Sequence, residues 1–225
     1  MVVAGGSGNR FGAPKQFAEL GGRSVLAWSL ASAAEVCQGV VAVLPEADIV
    51  AGAWEADVVV AGGTSRSASV RSGLRAVPLD AEIIAVHDAA RPLVPVSVWK
   101  AVLAAVDAGA DGAIPVLAVT DTVKEVATDG TLRTLDRSRL VAVQTPQAFR
   151  ASILRRAHSA GTDATDDAAL VEALGGRVER VAGSSRSMKI TDRDDLVVAA
   201  ALLSPAPGAG PGALPGGRAR RQEPT

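Results

Sequence analysis

The chain opens Met1-Val2-Val3-Ala4 and continues Gly5-Gly6-Ser7-Gly8-Asn9-Arg10-Phe11-Gly12-Ala13-Pro14-Lys15-Gln16. A short β-branched run that ends in a glycine cluster reads as a strand delivering a loop to the rim of a sheet. The glycines let backbone N–H groups converge on an oxyanion without interference from Cβ atoms, and Arg10 and Lys15 add a forked and a mobile cation. This is the composition of a phosphate cradle. A merely flexible turn would account for the glycines but not for two cations placed among them. The Walker pattern is excluded, because Lys15 follows Pro14 and precedes Gln16 instead of standing in Gly-Lys-Ser/Thr before a helix. The dinucleotide pattern Gly-x-Gly-x-x-Gly fails too: Gly6 and Gly8 fit, the third glycine would fall on Phe11, and Pro14 keeps a helix from starting at once.

Outward from this loop, short apolar runs alternate with Ala/Leu-rich amphipathic stretches. Residues 1–4, 40–44, 58–61, 83–87 and 113–119 read as strands, and 24–36, 67–77 and 96–108 as helices. Strands that are apolar throughout argue an α/β fold with a mostly parallel sheet covered on both faces, and ligands then belong at the strand carboxyl ends. Residues 120–143 break the rhythm: two alternating segments flank Asp129-Gly130, a favoured hairpin turn. A hairpin so poor in core residues is not stable alone, so we expect a projecting arm that packs on a second subunit, the alternative being an edge hairpin lying on its own domain. Helices are expected from Ala148 and from Thr165, a strand near Arg177 to Val181, and a last helix from Asp192 to Leu203. One domain, 1–203, is therefore expected, followed at 204–225 by a disordered Pro/Gly-rich tail. The first strand has barely four residues, and an extension before it is expected.

The 225 residues are 48% hydrophobic, 21% charged and 3% aromatic, with a net charge of -1, so no overall field recruits nucleic acid or an anionic membrane. Few aromatics also leave few stacking platforms for single strands. One cysteine and two histidines cannot build a structural zinc site or an internal disulfide. No apolar run approaches the roughly 18 to 20 residues of a membrane span. We expect a cytoplasmic protein with neither nucleic acid nor membrane as partner.

A second constellation, His87-Asp88-Ala89-Ala90-Arg91-Pro92, ends the fourth strand. Asp88, with two alanines leaving room behind it, suits a metal ion or a substrate hydroxyl; Arg91 suits a phosphate or an ion pair that locks a loop; His87 reads as a satisfied structural histidine. Together with Asp121-Thr122-Val123-Lys124, Gln144-Thr145-Pro146-Gln147, Thr165-Asp166-Asp167 and Lys189-Ile190-Thr191, these blocks occur in the order and spacing of one family. From Met1 to about Leu203 the chain resembles the 2-C-methyl-D-erythritol 4-phosphate cytidylyltransferases.

The resemblance implies a nucleotidyltransferase fold, with a Rossmann-like, mostly parallel sheet flanked by helices and a projecting hairpin, and a homodimer built through the arm. It implies transfer of CMP from CTP to methylerythritol phosphate with release of pyrophosphate, in the non-mevalonate route to isoprenoid precursors. Ala4, Gly5, Gly6, Gly8 and Arg10 would wrap the triphosphate, with Lys15 at its phosphates. Gly63 and Ser69 would contact cytosine, and Asp88 the ribose and acceptor hydroxyls. Arg91, Thr122, Arg137, Thr145, Thr165 and Lys189 match the remaining substrate contacts, some supplied by the partner chain. Arg10, Lys15 and Lys189 would be catalytic, and Mg²⁺ would bridge the triphosphate oxygens with no metal site of the protein's own.

The chemistry suits this inventory. A phosphate nucleophile with a second pKa of about 6 is already ionised, so no side chain need remove a proton; the reaction needs alignment and charge neutralisation. The chain departs from the family at Val3 and Gly5, where Pro and Ala are more usual, and at Arg186, which stands where an acidic residue often precedes the lysine. That last change leaves the orientation of Lys189 open. The nearest rival is a cytidylyltransferase for another sugar-alcohol phosphate such as ribitol 5-phosphate. Broader rivals are a sugar-1-phosphate or molybdopterin nucleotidyltransferase and a catalytically silent nucleotide-binding regulator.

Overall fold

In the computed structural model, the described residues are 1–5, 11–49 and 54–203. The first half runs β1 (Val2–Val3), β2 (Glu19–Leu20), β3 (Arg23–Ser24), α1 (Val25–Ala34), β4 (Val41–Leu44), α2 (Glu46–Ile49), β5 (Val58–Ala61), α3 (Arg66–Ala76), β6 (Ile83–Asp88) and α4 (Val96–Asp107). The second runs β7 (Gly112–Ala118), β8 (Lys124–Val126), β9 (Leu132–Thr134), β10 (Val141–Val143), β11 (Gln147–Arg150), α5 (Ala151–Ser159), α6 (Asp167–Ala173), β12 (Val178–Ala182) and α7 (Arg193–Leu203).

An eight-stranded sheet in the order β10-β7-β11-β6-β1-β4-β5, with β12 paired to β7, forms the centre. β1 lies between β4 and β6 and is parallel to both, β5 continues that row, and β12 runs parallel to β7. The sheet is mixed, since β10 and β11 run antiparallel to β7, and β11 also to β6. Successive residues feed opposite cores, as the strand period of two requires. Val2, Ala42, Leu44 and Ala85 pack with Leu26 and Leu30 of α1 and Trp99 and Val102 of α4. Val3, Val41, Val43, Ile84 and Val86 pack on the other side with Val70 of α3, Leu154 of α5 and Val171 of α6. Helix starts follow their capping residues: Ser24, Ser65 and Asp166 accept from the N–H groups of Ala27, Ala68 and Ala169.

The arm is present but shorter than expected. β8 and β9 form a separate two-stranded sheet, turned through Gly130 at φ +83°, and all their residues are exposed. Residues 141–143 belong instead to the main sheet as β10. The helix expected from Ala148 begins at Ala151, because residues 147–150 form β11, wedged between β6 and β7. The small β2–β3 hairpin and α2 were not expected. The tail at 204–225 lies outside the described residues. Among the described residues, no helix is long and apolar enough to cross a membrane.

Candidate active site

The carboxyl ends of β1 and β6 meet the loop before α3 and the segment before α7 around two adjoining wells. The first, of about 390 Å³, is lined by Ala4 and Gly5 after β1, Lys15 and Gln16 after the glycine loop, Ser65 and Ser69 of the α3 turn, and Ala89 and Ala90 after β6. Ser69 ties this rim together, accepting from Gly63 N at 3.1 Å and donating to Ser65 O at 2.9 Å. A Cβ on either Gly5 or Gly62 would lie 2.9 Å from the Ser69 hydroxyl, so glycine at both positions lets the two loops approach it.

The second well, of about 320 Å³, is lined by Arg91, Val143, Gln144, Thr145, Gln147, Thr165 and Asp166. Three residues, Arg66, Asp88 and Lys189, line both wells and form their shared wall. Lys189 Nζ donates to Asp88 Oδ2 at 2.8 Å, and Arg66 Nε donates to Asp88 Oδ1 at 3.1 Å. Arg66 Nη2 also pairs with Asp167 Oδ2 at 2.9 Å, and Asp167 Oδ1 in turn meets His158 Nε2 at 2.9 Å. The wall is thus anchored through α6 to α5.

Electrostatics fix its charge state. Burial alone would raise the Asp88 carboxyl, but Arg66 and then Lys189 outweigh it and hold the group well below the usual carboxylate range. Burial works against the Arg66 guanidinium, yet Asp167 and Asp88 keep it protonated. His87 is fully buried, and burial pushes its imidazole down to about 3 despite the neighbouring Asp88. The neutral ring accepts from the Thr145 hydroxyl at 3.0 Å and donates from Nε2 to Arg91 O at 3.1 Å, while Asp88 N donates to Thr145 Oγ1 at 3.0 Å. His87 is therefore structural, as its sequence context suggested, and it orients the Asp88 backbone through Thr145.

Of the residues named from sequence, Ala4, Gly5, Lys15, Ser69, Asp88 and Lys189 line the first well, and Arg91, Thr145 and Thr165 line the second with Asp88 and Lys189. Gly63 sits behind the first rim through Ser69. Gly6, Gly8 and Arg10 lie outside the described residues. Thr122 and Arg137 are exposed beside the arm and line neither well; Arg137 donates to Thr120 O. Arg91 spends Nη1 on Ser187 O at 2.7 Å and Nη2 on Val143 O at 3.4 Å, so it ties a loop through backbone carbonyls and not through the ion pair expected from sequence. Sequence reasoning missed Arg66, which stands between Gly63 and Ser69 but gave no sign that the first residue of α3 faces Asp88. Among the described residues, no group of three or more His, Cys, Asp or Glu is placed to hold a metal ion.

The comparisons converge. Residues 1–205 match the family model for 2-C-methyl-D-erythritol 4-phosphate cytidylyltransferase. The enzyme of that name from Frankia casuarinae is 47% identical over 91% of this chain and 80% of its own length. The bifunctional enzyme IspD/IspF of Clavibacter michiganensis is 45% identical over 93% of this chain, which spans 55% of that longer protein. The crystal structure of the Thermus thermophilus 2-C-methyl-D-erythritol 4-phosphate cytidylyltransferase superposes with a TM-score of 0.75 at 37% identity, over 89% of this chain and 96% of that one.

Proposed function

The chain belongs to the 2-C-methyl-D-erythritol 4-phosphate cytidylyltransferase family, and on that premise we propose that the first well takes the CTP triphosphate and the second the acceptor phosphate. The protein is a nucleotidyltransferase that transfers CMP from CTP to 2-C-methyl-D-erythritol 4-phosphate, within isoprenoid precursor synthesis. An acceptor phosphate oxygen attacks the α-phosphorus of CTP, a new P–O–P linkage forms, and the bond to the β-phosphate oxygen breaks with its electron pair leaving on pyrophosphate. No proton moves, which agrees with a His87 that is neutral and occupied on both nitrogens.

One observation carries this reading: two wells share a wall of Arg66, Asp88 and Lys189. Two anions brought into adjacent wells meet at that wall, where Lys189 faces both. Lys15, with Arg10, holds the triphosphate; Lys189 holds the incoming phosphate and opposes charge on the α-phosphoryl group. Asp88 receives hydroxyls, Ser69 and Gly63 fit the cytosine rim, and Arg91, Thr145 and Thr165 shape the acceptor pocket. The donor set fits a metal that arrives on the nucleotide, since Asp88 is the single carboxylate in the shared wall and is already paired with two cations. Mg²⁺ bound to the triphosphate would supply charge neutralisation there.

Residues 1–203 form the catalytic domain in this reading, and the enzyme is a cytoplasmic homodimer. The arm exposes Val126 at 67% and Leu132 at 65%, apolar area suited to a second copy. A second copy's arm would carry its own Thr122 and Arg137 to the acceptor well. The test is pyrophosphate release with CTP and either acceptor. Turnover with methylerythritol phosphate well above that with ribitol 5-phosphate supports the assignment; the reverse order, or preference for UTP or GTP, overturns it.

A further inference from the structure

Lys189 lies in the segment between β12 and α7 and is 42% exposed at its side chain. Its ammonium meets Asp88, but an ammonium on a four-carbon stem is aimed only as well as its backbone is held. The sequence left this point open, with Arg186 where an acidic residue often stands. Arg186 turns away from the wells and donates to Leu202 O of α7 at 2.8 Å.

The backbone is held from the other side. Gln144, buried between β10 and β11, donates from Nε2 to Ser184 O at 2.9 Å and accepts at Oε1 from Ser184 N at 3.0 Å. One side-chain amide thereby satisfies both peptide groups of one residue, as a neighbouring strand would. Gly183 N donates to Val116 O at 2.9 Å and Ile190 N to Ala90 O at 2.8 Å, while Arg91 grips Ser187 O between them. A Cβ on Gly183 would lie 2.5 Å from Gln144 Oε1 and 2.9 Å from Val116 O, so the close seating of this segment on Gln144 depends on glycine there.

We propose that Gln144 is a positioning residue whose amide clamp on Ser184, completed by Arg91 on Ser187, sets the approach of Lys189 to the acceptor well. The clamp needs a donor and an acceptor on one short planar group. A carboxylate in its place would face the Ser184 carbonyl with a second acceptor, and an apolar chain would leave both peptide groups unpaired. The inference rests on the reading that Lys189 meets the acceptor phosphate.

The test is a double-mutant cycle on the full-length enzyme, with the Michaelis constants for both substrates measured separately. Gln144→Met should lower kcat/KM for methylerythritol phosphate by about tenfold or more, with the KM for CTP changed less than about twofold. In a Lys189→Ala background the same substitution should cost less than about twofold, because the group it aims is gone. An equal loss in both backgrounds, an unchanged acceptor kcat/KM in the parent, or a CTP KM that rises in step overturns the proposal. If Gln144→Met does not fold, Gly183→Ala carries the same cycle, since its methyl group displaces the clamp. A Lys189→Ala enzyme with normal acceptor kinetics would instead remove the reading beneath it, and the proposal with it.

Discussion

Arg66 is the residue whose removal should be felt most widely, because one guanidinium spans Asp88 and Asp167 in the wall between the wells. Lysine keeps the charge but offers a single point donor that cannot hold both carboxylates. Arg66→Lys should therefore lower kcat/KM by about 10²-fold while the protein stays folded; steady-state kinetics beside a thermal melt would check this, and near-normal turnover would refute the spanning role. His87 makes a separate prediction about stability. Its folded pKa of about 3 lies below the ordinary 6.5, so between those values the unfolded chain takes up a proton that the native protein does not. Stability should then fall as pH falls from about 6.5, with a slope approaching about 1.4 kcal/mol per pH unit from this group. Asp88, whose pairing contributes above its ordinary 3.8 and is lost only as pH drops below it, adds nothing to the slope between about 6.5 and 4. His87→Gln should reduce the pH slope of urea-derived stability across that window; an unchanged slope would mean the imidazole is not held neutral. Gly5 and Lys15, at the two ends of the glycine loop, and Asp88 were legible as lining the first well because their residue types carry their chemistry locally. Arg66 and Gln144 were not, since each acts through a partner distant in sequence.

Among the elements, β11 shows where pattern reading runs out. Gln147-Ala148-Phe149-Arg150 is too short for its periodicity to separate strand from helix, and alanine favours the helix that follows. What makes it a strand is the slot between β6 and β7, where Phe149 is opposite Ile84 and Gly112. A Cβ on Gly112 would lie 2.5 Å from the Phe149 ring. Gly112→Ala should accordingly cost about 1–3 kcal/mol in urea unfolding, and an unaltered midpoint would show that β11 can shift to relieve the clash. The parallel strands were read to within a residue or two because four to six consecutive apolar residues have only one home, a sheet covered on both faces. The arm was legible from Asp129-Gly130, yet its far end was not, because Val141–Val143 joins the main sheet through a partner, β7, lying some way back along the chain.

For the whole molecule, the number of copies in a working site turns on residues that one chain leaves outside its wells. Thr122 and Arg137, which the family resemblance led us to expect among the substrate contacts, stand clear of both wells within one chain. If a second copy supplies them, replacing both Val126 and Leu132 by Asp should give a monomer by sedimentation whose acceptor KM rises at least about tenfold while CTP still binds. A dimer, or a monomer with normal acceptor kinetics, would put those residues elsewhere. Where the nucleotide sits within a single chain is decided by a crystal of this protein soaked with CTP. The triphosphate should be found against Ala4, Gly5 and Lys15, with its α-phosphorus turned toward Lys189. Nucleotide density lodged among Gln144, Thr145 and Thr165, with the first well empty, would contradict it.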